Sequence, residues 1–186
     1  MKALSRETLL EMYNEVSEPH EGLIAVRKGV SYFHVRLDGV RPYIDVFLFV
    51  GDFYEGLARA QMPNGTWCHI DHAGKPAYPE RYDGAGDFHE GVAWITIAFL
   101  DGPRKKSYIR PDGNRLSNVV FDEAGDFHEG RARVRSGNEE FHISQDLGSR
   151  FCTGSFDRTG HFQNGLAWVQ RDDEQFHIDH QGNKVD

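Results

Sequence analysis

Histidine is the residue type in this sequence best suited to chemistry, because imidazole binds metals and exchanges a proton near neutral pH. Most of the 10 histidines recur at two repeated positions. The first histidine set is His20, His89 and His128, with Tyr54 and Gln163 at the equivalent positions; the second histidine set is His34, His69, His142 and His177, with Tyr108. Tyrosine substitutes poorly for a metal ligand but well for a half-buried ring with a polar tip. Both sets are therefore predicted to be structural, and we expect no metal ligand, no cofactor and no catalytic residue.

A second repeated position carries arginine or tryptophan. Three residues after a recurring glycine lies the Arg/Trp column, which consists of Ala25, Arg59, Trp94, Arg133 and Trp168. Arginine and tryptophan are enriched at recognition surfaces, and tryptophan also stacks on sugars. The alternative is a structural ladder in which arginine packs over the tryptophan of a neighbouring copy. We predict Arg59, Trp94, Arg133 and Trp168 as binding residues, with this ladder as the alternative.

One basic segment stands out from the acidic remainder of the chain. The stretch "FLDGPRKKSY" contains Arg104, Lys105 and Lys106, and it is predicted to form a longer turn. Loops on a rigid scaffold often carry function, although three basic residues on a turn can also be simply solvated. These residues complete the predicted binding positions.

The elements that hold these positions come from an internal repeat. The stretches "AGDFHEGVAWI" and "AGDFHEGRARV" are two copies, and aligning on their shared glycine gives five: Gly22, Gly56, Gly91, Gly130 and Gly165. The steps between these glycines are 34, 35, 39 and 35 residues. A period of about 20–50 residues is typical of repeat architectures. The predicted repeats are 13–46, 47–81, 82–120, 121–155 and 156–186.

Each repeat is predicted to fold as a short antiparallel meander of three strands. After the glycine, small or aliphatic residues alternate with polar ones, as at Ala132 and Val134, which indicates a half-buried strand. An aromatic and β-branched strand follows, and then a turn with Asp-Gly or a related pair. One such unit cannot bury its own face, so adjacent repeats must pack together.

The fold class is therefore an all-β repeat protein with a short N-terminal helix. Residues 1–18 are predicted as a capping helix and residues 19–186 as the repeat domain. Ser5 is the expected N-cap, and the expected apolar stripe is Leu9, Leu10, Met12, Tyr13 and Val16. The five near-equal copies favour a ring-like, propeller-like array, whereas a helix at one end suits an open β-solenoid, and both alternatives stay open.

Charge and cysteine content narrow the classes of partner. The formal net charge of −8 argues against nucleic acid and against an anionic membrane surface. The N-terminal segment lacks the apolar run of a secretory signal. Cys68 and Cys152 are expected to be free thiols in a reducing compartment. We accordingly predict a cytoplasmic protein.

The repeated sequence pattern resembles the WG repeat of bacterial proteins, also called the KWG repeat. Its pattern is roughly aromatic-Asp, Phe, Gly-Leu-Ala-x-Val, Trp-Gly-x-Ile-Asp and Gly. The resemblance lies in "YDGAGDFHEGVAW", "FDEAGDFHEGRARV", "FDRTGHFQNGLAWV", "GTWCHIDHAGK" and "EQFHIDHQGNK", and it spans about residues 13–186. The Trp-Gly pair itself is absent, with Trp67-Cys68 in its place. The resemblance implies a β-rich repeat domain without a general catalytic residue set, so it assigns no site residue here.

Three functions follow from these patterns, in descending order. The first is a non-catalytic scaffold that binds a partner protein through the Arg/Trp column or the basic segment. The second is a module that binds a glycan or another small ligand, with Trp94 and Trp168 as stacking platforms. The third is a metal-dependent enzyme or sensor that uses one of the histidine sets.

Overall fold

The computed structural model describes residues 3–145 and 154–185. The chain divides into two compact units, Met1–Phe88 with Pro111–Gly113, and His89–Arg110 with Asn114–Asp186. Among the described residues, no helix combines the length and the apolar character that crossing a bilayer requires. Cys152 lies outside the described residues, whereas Cys68 is a buried free thiol.

The one helix in the described part of the chain, α1, spans Arg6–Met12 and is shorter than the predicted segment. Ser5 is its N-cap, as predicted, and the Ser5 hydroxyl accepts a hydrogen bond from the Thr8 backbone N–H at 3.2 Å. Of the predicted apolar stripe, Leu9 is the buried residue of the helix, whereas Leu10 and Met12 are exposed. Leu10 and Met12 therefore depart from the predicted stripe, whereas Val16, beyond the end of the helix, is buried and Tyr13 is half-buried.

The strands form five antiparallel sheets of three or four strands, which confirms the predicted all-β repeat protein. Their bounds are β1 Glu15–Val16, β2 Leu23–Lys28, β3 Ser31–Arg36, β4 Phe49–Val50, β5 Ala58–Gln61, β6 Trp67–Ile70, β7 Gly84–Ala85, β8 Ala93–Phe99, β9 Gly102–Ile109, β10 Glu123–His128, β11 Arg131–Ser136, β12 Glu139–Ser144, β13 Arg158–Thr159, β14 Leu166–Arg171, β15 Glu174–Asp179 and β16 Lys184–Val185. The first unit holds the sheets β1-β2-β3 and β4-β5-β6, and the second unit holds β10-β11-β12 and β13-β14-β15-β16. The hairpin of β8 and β9 also lies in the second unit.

The strand after the recurring glycine alternates between buried and accessible residues in the second to fifth repeats, as predicted, whereas the first four residues of β2 are all buried. In β11, Ala132 and Val134 are buried and Arg133 between them is exposed. In β14, Trp168 has the same position between two buried residues. Each member of the Arg/Trp column pairs across the sheet with a member of the second histidine set, for example Arg133 with His142. Cross-strand partners share a face of the sheet, so the column and these histidines point the same way.

The basic segment is not the longer turn that the sequence predicts. Residues 104–106 lie within strand β9, and the turn at the tip of the hairpin is Leu100–Asp101. The extra residues of this repeat pair with each other across the hairpin, as Thr96 does with Lys106 and Ile97 with Lys105. The insertion therefore lengthens two strands instead of opening a loop.

The recurring glycine closes a two-residue hairpin turn in each repeat. In the first repeat, the backbone groups of His20 and Leu23 bond to each other around Glu21 and Gly22. Both central residues have positive φ, 50° at Glu21 and 79° at Gly22, as a type I′ turn requires. Non-glycine residues rarely adopt positive φ, yet the same geometry recurs at Glu55, Glu90, Glu129 and Asn164.

Candidate functional site

The second histidine set joins each repeat to the following one. The Nε2 atoms of His34, His69 and His142 donate hydrogen bonds to the carbonyl oxygens of Gly51, Gly86 and Gly160, at 2.9, 2.7 and 2.8 Å. Tyr108 makes the equivalent bond, from its hydroxyl to the Gly125 carbonyl, at 2.7 Å. Each acceptor glycine belongs to the repeat that follows the donor ring. The tyrosine substitution thus preserves the donated hydrogen bond.

These rings are packed as well as hydrogen-bonded. A phenylalanine of the following repeat lies against each ring, with centroid distances of 4.6 Å for Phe53 on His34 and 4.8 Å for Phe162 on His142. Burial lowers the pKa of His34, His69 and His142 to about 4. These imidazoles are neutral at pH 7 and act as structural hydrogen-bond donors.

In the first two repeats, the hydrogen-bond partners of His34 and His69 assign the neutral tautomer. Because Nε2 uses its hydrogen on the glycine carbonyl, Nδ1 must act as an acceptor. Tyr43 donates to Nδ1 of His34, and Tyr78 donates to Nδ1 of His69, both at 2.5 Å. The fifth member of the set, His177, is exposed.

The first histidine set lies nearer the surface. His20 lies beside Tyr54 with a centroid distance of 4.9 Å, and His128 lies beside His161 at 4.7 Å, both with tilted rings. Within the described part of the chain, no group of three or more histidine, cysteine, aspartate or glutamate side chains has a geometry that could hold a metal ion.

Glutamates of the hairpin turns form a second link between repeats. The Glu21 carboxylate accepts from the backbone N–H of Gly56, in the next turn, at 3.1 Å. Glu90 accepts likewise from Gly130 at 2.7 Å, and Glu129 from Gly165 at 2.8 Å. The Gly165 hydrogen bond lowers the pKa of the Glu129 carboxyl. This bond gives a physical reason for glutamate at a position where the backbone favours glycine.

Above the histidine–glycine bonds lie two grooves, one in each unit, at equivalent positions between adjacent repeats. The first groove is a cavity of about 470 Å³ between the first and second repeats. Its lining includes Ala25, Gly51, Asp52, Arg59 and Asp87. The second groove, of about 360 Å³, lies between the fourth and fifth repeats. Its lining is Gly125, Asp126, His128, Arg133, Thr159, Gly160, His161 and Trp168.

Arg59 is ion-paired inside the first groove. Its Nε lies 3.2 Å from Oδ1 of Asp87, in the following repeat. The guanidinium lies 5.4 Å from the centroid of Phe49. A Cβ on Gly51 would come within 2.9 Å of Cγ of Arg59, so the glycine leaves room for the arginine stem.

Arg133 is held more loosely in the second groove. Nη1 lies 3.5 Å from the Thr159 carbonyl oxygen and 3.8 Å from Oε2 of Glu140. Beside it, the indole of Trp168 lies over Gly160, where a Cβ would overlap the ring. Trp168 is 39% exposed, so part of the indole faces solvent.

The other predicted binding residues lie outside both grooves. Trp94 is half-buried and packs on the core, and the ammonium of Lys106 lies 4.3 Å from its ring centroid. This cation–π contact comes from a lysine of the same hairpin, whereas the predicted ladder would place an arginine of a neighbouring repeat over the tryptophan. Lys105 bonds to Asp122 at 2.5 Å, and Arg104 is exposed.

The family comparison matches the repeats seen in the structure. The model of the "WG containing repeat" matches residues 70–97, 107–139 and 155–174. These three segments are WG repeats. The predicted resemblance is thereby confirmed, and the matched segments include Asp87, Arg133 and Trp168. No curated protein matches the chain in sequence.

Solved structures with the same fold are distant in sequence. The WG-repeat chain is similar to the computationally designed Ika8 protein, with TM-score 0.57, 12% identity, and coverage of 92% of this chain and 60% of that one. It is similar to Kluyveromyces lactis Hsv2, with TM-score 0.57, 12% identity and coverage of 88% and 61%. It is also similar to BamB from Moraxella catarrhalis, with TM-score 0.50, 10% identity and coverage of 90% and 58%. At this identity the similarity shows an all-β repeat fold alone, and the chain spans about 60% of these structures.

The sequence analysis missed two sets of residues in these WG repeats. One is the set of turn glutamates. Their signal was the repeated Glu-Gly pair, because a two-residue hairpin turn requires positive φ at both of its central residues. The other is the Asp column, which consists of Asp52, Asp87, Asp126 and His161. Its signal was the single change from "GDF" to "GHF" in the fifth repeat.

Proposed function

We propose that this chain is a non-catalytic binding module that holds a partner protein in the grooves between adjacent WG repeats. The observation that carries the proposal is that the predicted residues Arg59, Arg133 and Trp168 line grooves at equivalent positions in two units. Arginine and tryptophan are the residue types that most often dominate protein interfaces. From the net charge of −8 we also propose that the partner is neither nucleic acid nor a membrane.

The second groove is the stronger of the two binding positions. Its tryptophan has an exposed ring, and its arginine is loosely held, so both can contact a partner without breaking strong internal bonds. In the first groove, Arg59 is already engaged with Asp87. We therefore place the main contact at Arg133 and Trp168.

A glycan is the second candidate ligand, and the exposed indole of Trp168 favours it. Of the two predicted stacking platforms, Trp168 alone remains for a glycan, because Lys106 lies over the ring of Trp94. A glycan site would therefore depend on one aromatic ring together with the polar groups of the second groove.

Site-specific photocrosslinking tests the proposed function. A photoreactive phenylalanine analogue at position 168 should crosslink one protein species in an extract of the source cells. The matched control is the same analogue at Leu100, which is fully exposed at the hairpin tip and lines neither groove. Equal crosslinking at both positions, or none at position 168, contradicts the proposal. Glycan-array signals that disappear in Trp168→Ala would instead support the second candidate.

A further inference from the structure

The two grooves differ in the residue that faces their arginine. Arg59 and Arg133 occupy the same position of the Arg/Trp column, and in the first groove the next repeat supplies Asp87 as an ion-pair partner. The equivalent residue of the fifth repeat is His161, which lines the second groove. An imidazole, whether neutral or protonated, cannot neutralise a guanidinium. The fifth repeat therefore lacks the carboxylate that neutralises the equivalent arginine.

The carboxylates of Glu140 and Asp126 lie near Arg133, but neither makes an ion pair with it as close as the 3.2 Å pair of Arg59 and Asp87. Glu140 is 3.8 Å from Nη1, beyond hydrogen-bond distance, and its side chain is 16% exposed. Asp126 lines the groove but lies 3.9 Å from the imidazole of His89. His128 and His161 complete the titratable groups of the groove and add no negative charge. The Arg133 side chain is 48% exposed, so a ligand can reach it.

We propose that the second groove binds a carboxylate side chain of the partner protein, with Arg133 as its charge partner and Trp168 as the adjoining apolar surface. This inference rests on the proposed function. The partner's carboxylate supplies to Arg133 the negative charge that Asp87 supplies to Arg59. The Arg133 contacts among the described residues both involve Nη1, so Nη2 and Nε remain for the planar, two-point pairing that guanidinium makes with carboxylates.

A single carboxylate fits this site better than a polyanion does. The chain carries a net charge of −8, which opposes the approach of a densely charged ligand. The tryptophan beside the arginine favours a segment in which an acidic residue adjoins an aromatic or aliphatic one. The inferred occupant is therefore an acidic peptide segment with a neighbouring apolar side chain.

The test uses a small probe with this chemistry and its neutral counterpart. N-acetyl-phenylalanine carries a carboxylate beside an aromatic ring, and N-acetyl-phenylalaninamide lacks the charge. Titration into 15N-labelled protein is followed at the indole N–H signal of Trp168, with Trp67 and Trp94 as internal references for the fold. We expect a saturable shift with the carboxylate, in the millimolar range, and binding of the amide about tenfold weaker or more.

Substitutions in the Asp column test the charge argument directly. His161→Asp restores the residue that the second, third and fourth repeats carry and should weaken binding of the carboxylate about tenfold. His161→Asn is the matched neutral control and should retain binding. Arg133→Gln should lose binding, whereas Arg59→Gln in the first groove should leave the Trp168 signal unchanged.

The inference fails if the amide binds as tightly as the carboxylate, if neither probe shifts the Trp168 signal, or if His161→Asp binds like the unmodified protein. Crosslinking from position 168 separates this failure from failure of the proposed function. A partner that crosslinks in the second groove and is equally retained by His161→Asp would support the binding module and overturn the acidic contact.

Discussion

The two grooves share their base, a histidine–glycine hydrogen bond between adjacent repeats that we call the floor. They differ in the side chains above this bond, which we call the walls. Under the first, His34 of the preceding repeat donates to the Gly51 carbonyl at 2.9 Å, and under the second, His142 donates to the Gly160 carbonyl at 2.8 Å. In both, a phenylalanine two residues after the glycine packs on the imidazole. The floor is what joins one repeat to the next, so a repeat that altered it would lose its packing partner.

The walls can vary because the floor does not depend on them. Arg59 and Asp87 form an ion pair inside the first groove. The second groove has His161 in the Asp column and Trp168 in the Arg/Trp column, so it keeps an arginine without that counter-charge. The difference teaches that stability and recognition occupy separate positions of the same repeat, and each prediction below tests this separation.

Removing the histidine of the floor should lower the free energy of unfolding by a similar amount in both grooves. Replacing His34 by alanine removes a buried ring and leaves the buried Gly51 carbonyl without its donor; His142→Ala removes the equivalent ring, and the Gly160 carbonyl keeps the Thr159 hydroxyl as a longer donor at 3.3 Å. We expect each substitution to lower the free energy of unfolding by about 3 kcal/mol, as measured by urea denaturation. His177→Ala, at the exposed fifth member of the set, should change it by less than about 0.5 kcal/mol. A loss at His177 as large as at His142 would break the comparison.

Lowering the pH should weaken the histidine–glycine hydrogen bonds of the floor before it affects the side-chain contacts of the walls. The pKa of His34, His69 and His142 is lowered to about 4 in the folded protein, against about 6.5 in an unfolded chain. The unfolded state therefore binds more protons between these values, and stability falls as the pH drops from about 6.5 to 4. Between pH 7 and 5 each of these histidines should cost on the order of 2 kcal/mol.

A tyrosine variant provides the control for this pH dependence. His142→Tyr places there the residue that the third repeat uses, where Tyr108 donates to Gly125 at 2.7 Å. Its stability should fall less between pH 7 and 5 than that of the unmodified protein, by the contribution of one histidine. Identical pH profiles for the two proteins would show that His142 is not the group that titrates.

The sequence predicts the floor better than the walls. The alternating pattern predicted that Ala132 and Val134 are buried and that Arg133 is exposed. The tyrosine in the second histidine set indicated that these rings are structural. The predicted longer turn failed because four extra residues can extend a hairpin as readily as a loop, and strand pairing decides between them. The meaning of His161 depends on a contact between Arg59 and Asp87, which lie in different repeats. No local pattern contains that contact, so the change in the Asp column was unreadable before the repeats were packed.

Two glycines of the second groove should differ in how they tolerate a methyl group. A Cβ on Gly160 would overlap the Trp168 indole, whereas a Cβ on Gly125 would meet the nearest atom, the Arg133 carbonyl oxygen, at an ordinary 3.5 Å. Gly160→Ala should displace the indole and lower the free energy of unfolding by about 1–2 kcal/mol. Gly125→Ala should be nearly neutral, and the Trp168 indole signal should move in the first variant alone. An unmoved indole in Gly160→Ala would show that the ring does not depend on this glycine.

The smallest expected effect separates the two arginines. Arg59 and Asp87 are 31% and 20% exposed, so solvent screens their ion pair. A double-mutant cycle of Arg59→Ala and Asp87→Ala should give a coupling of about 0.5 kcal/mol. The matching cycle of Arg133→Ala and His161→Ala should give a coupling near zero, because no ion pair joins them. If the second cycle gave as much coupling as the first, His161 would be acting as a true partner of Arg133. The second groove would then be internally satisfied like the first, and the distinction between the two sets of walls would be lost.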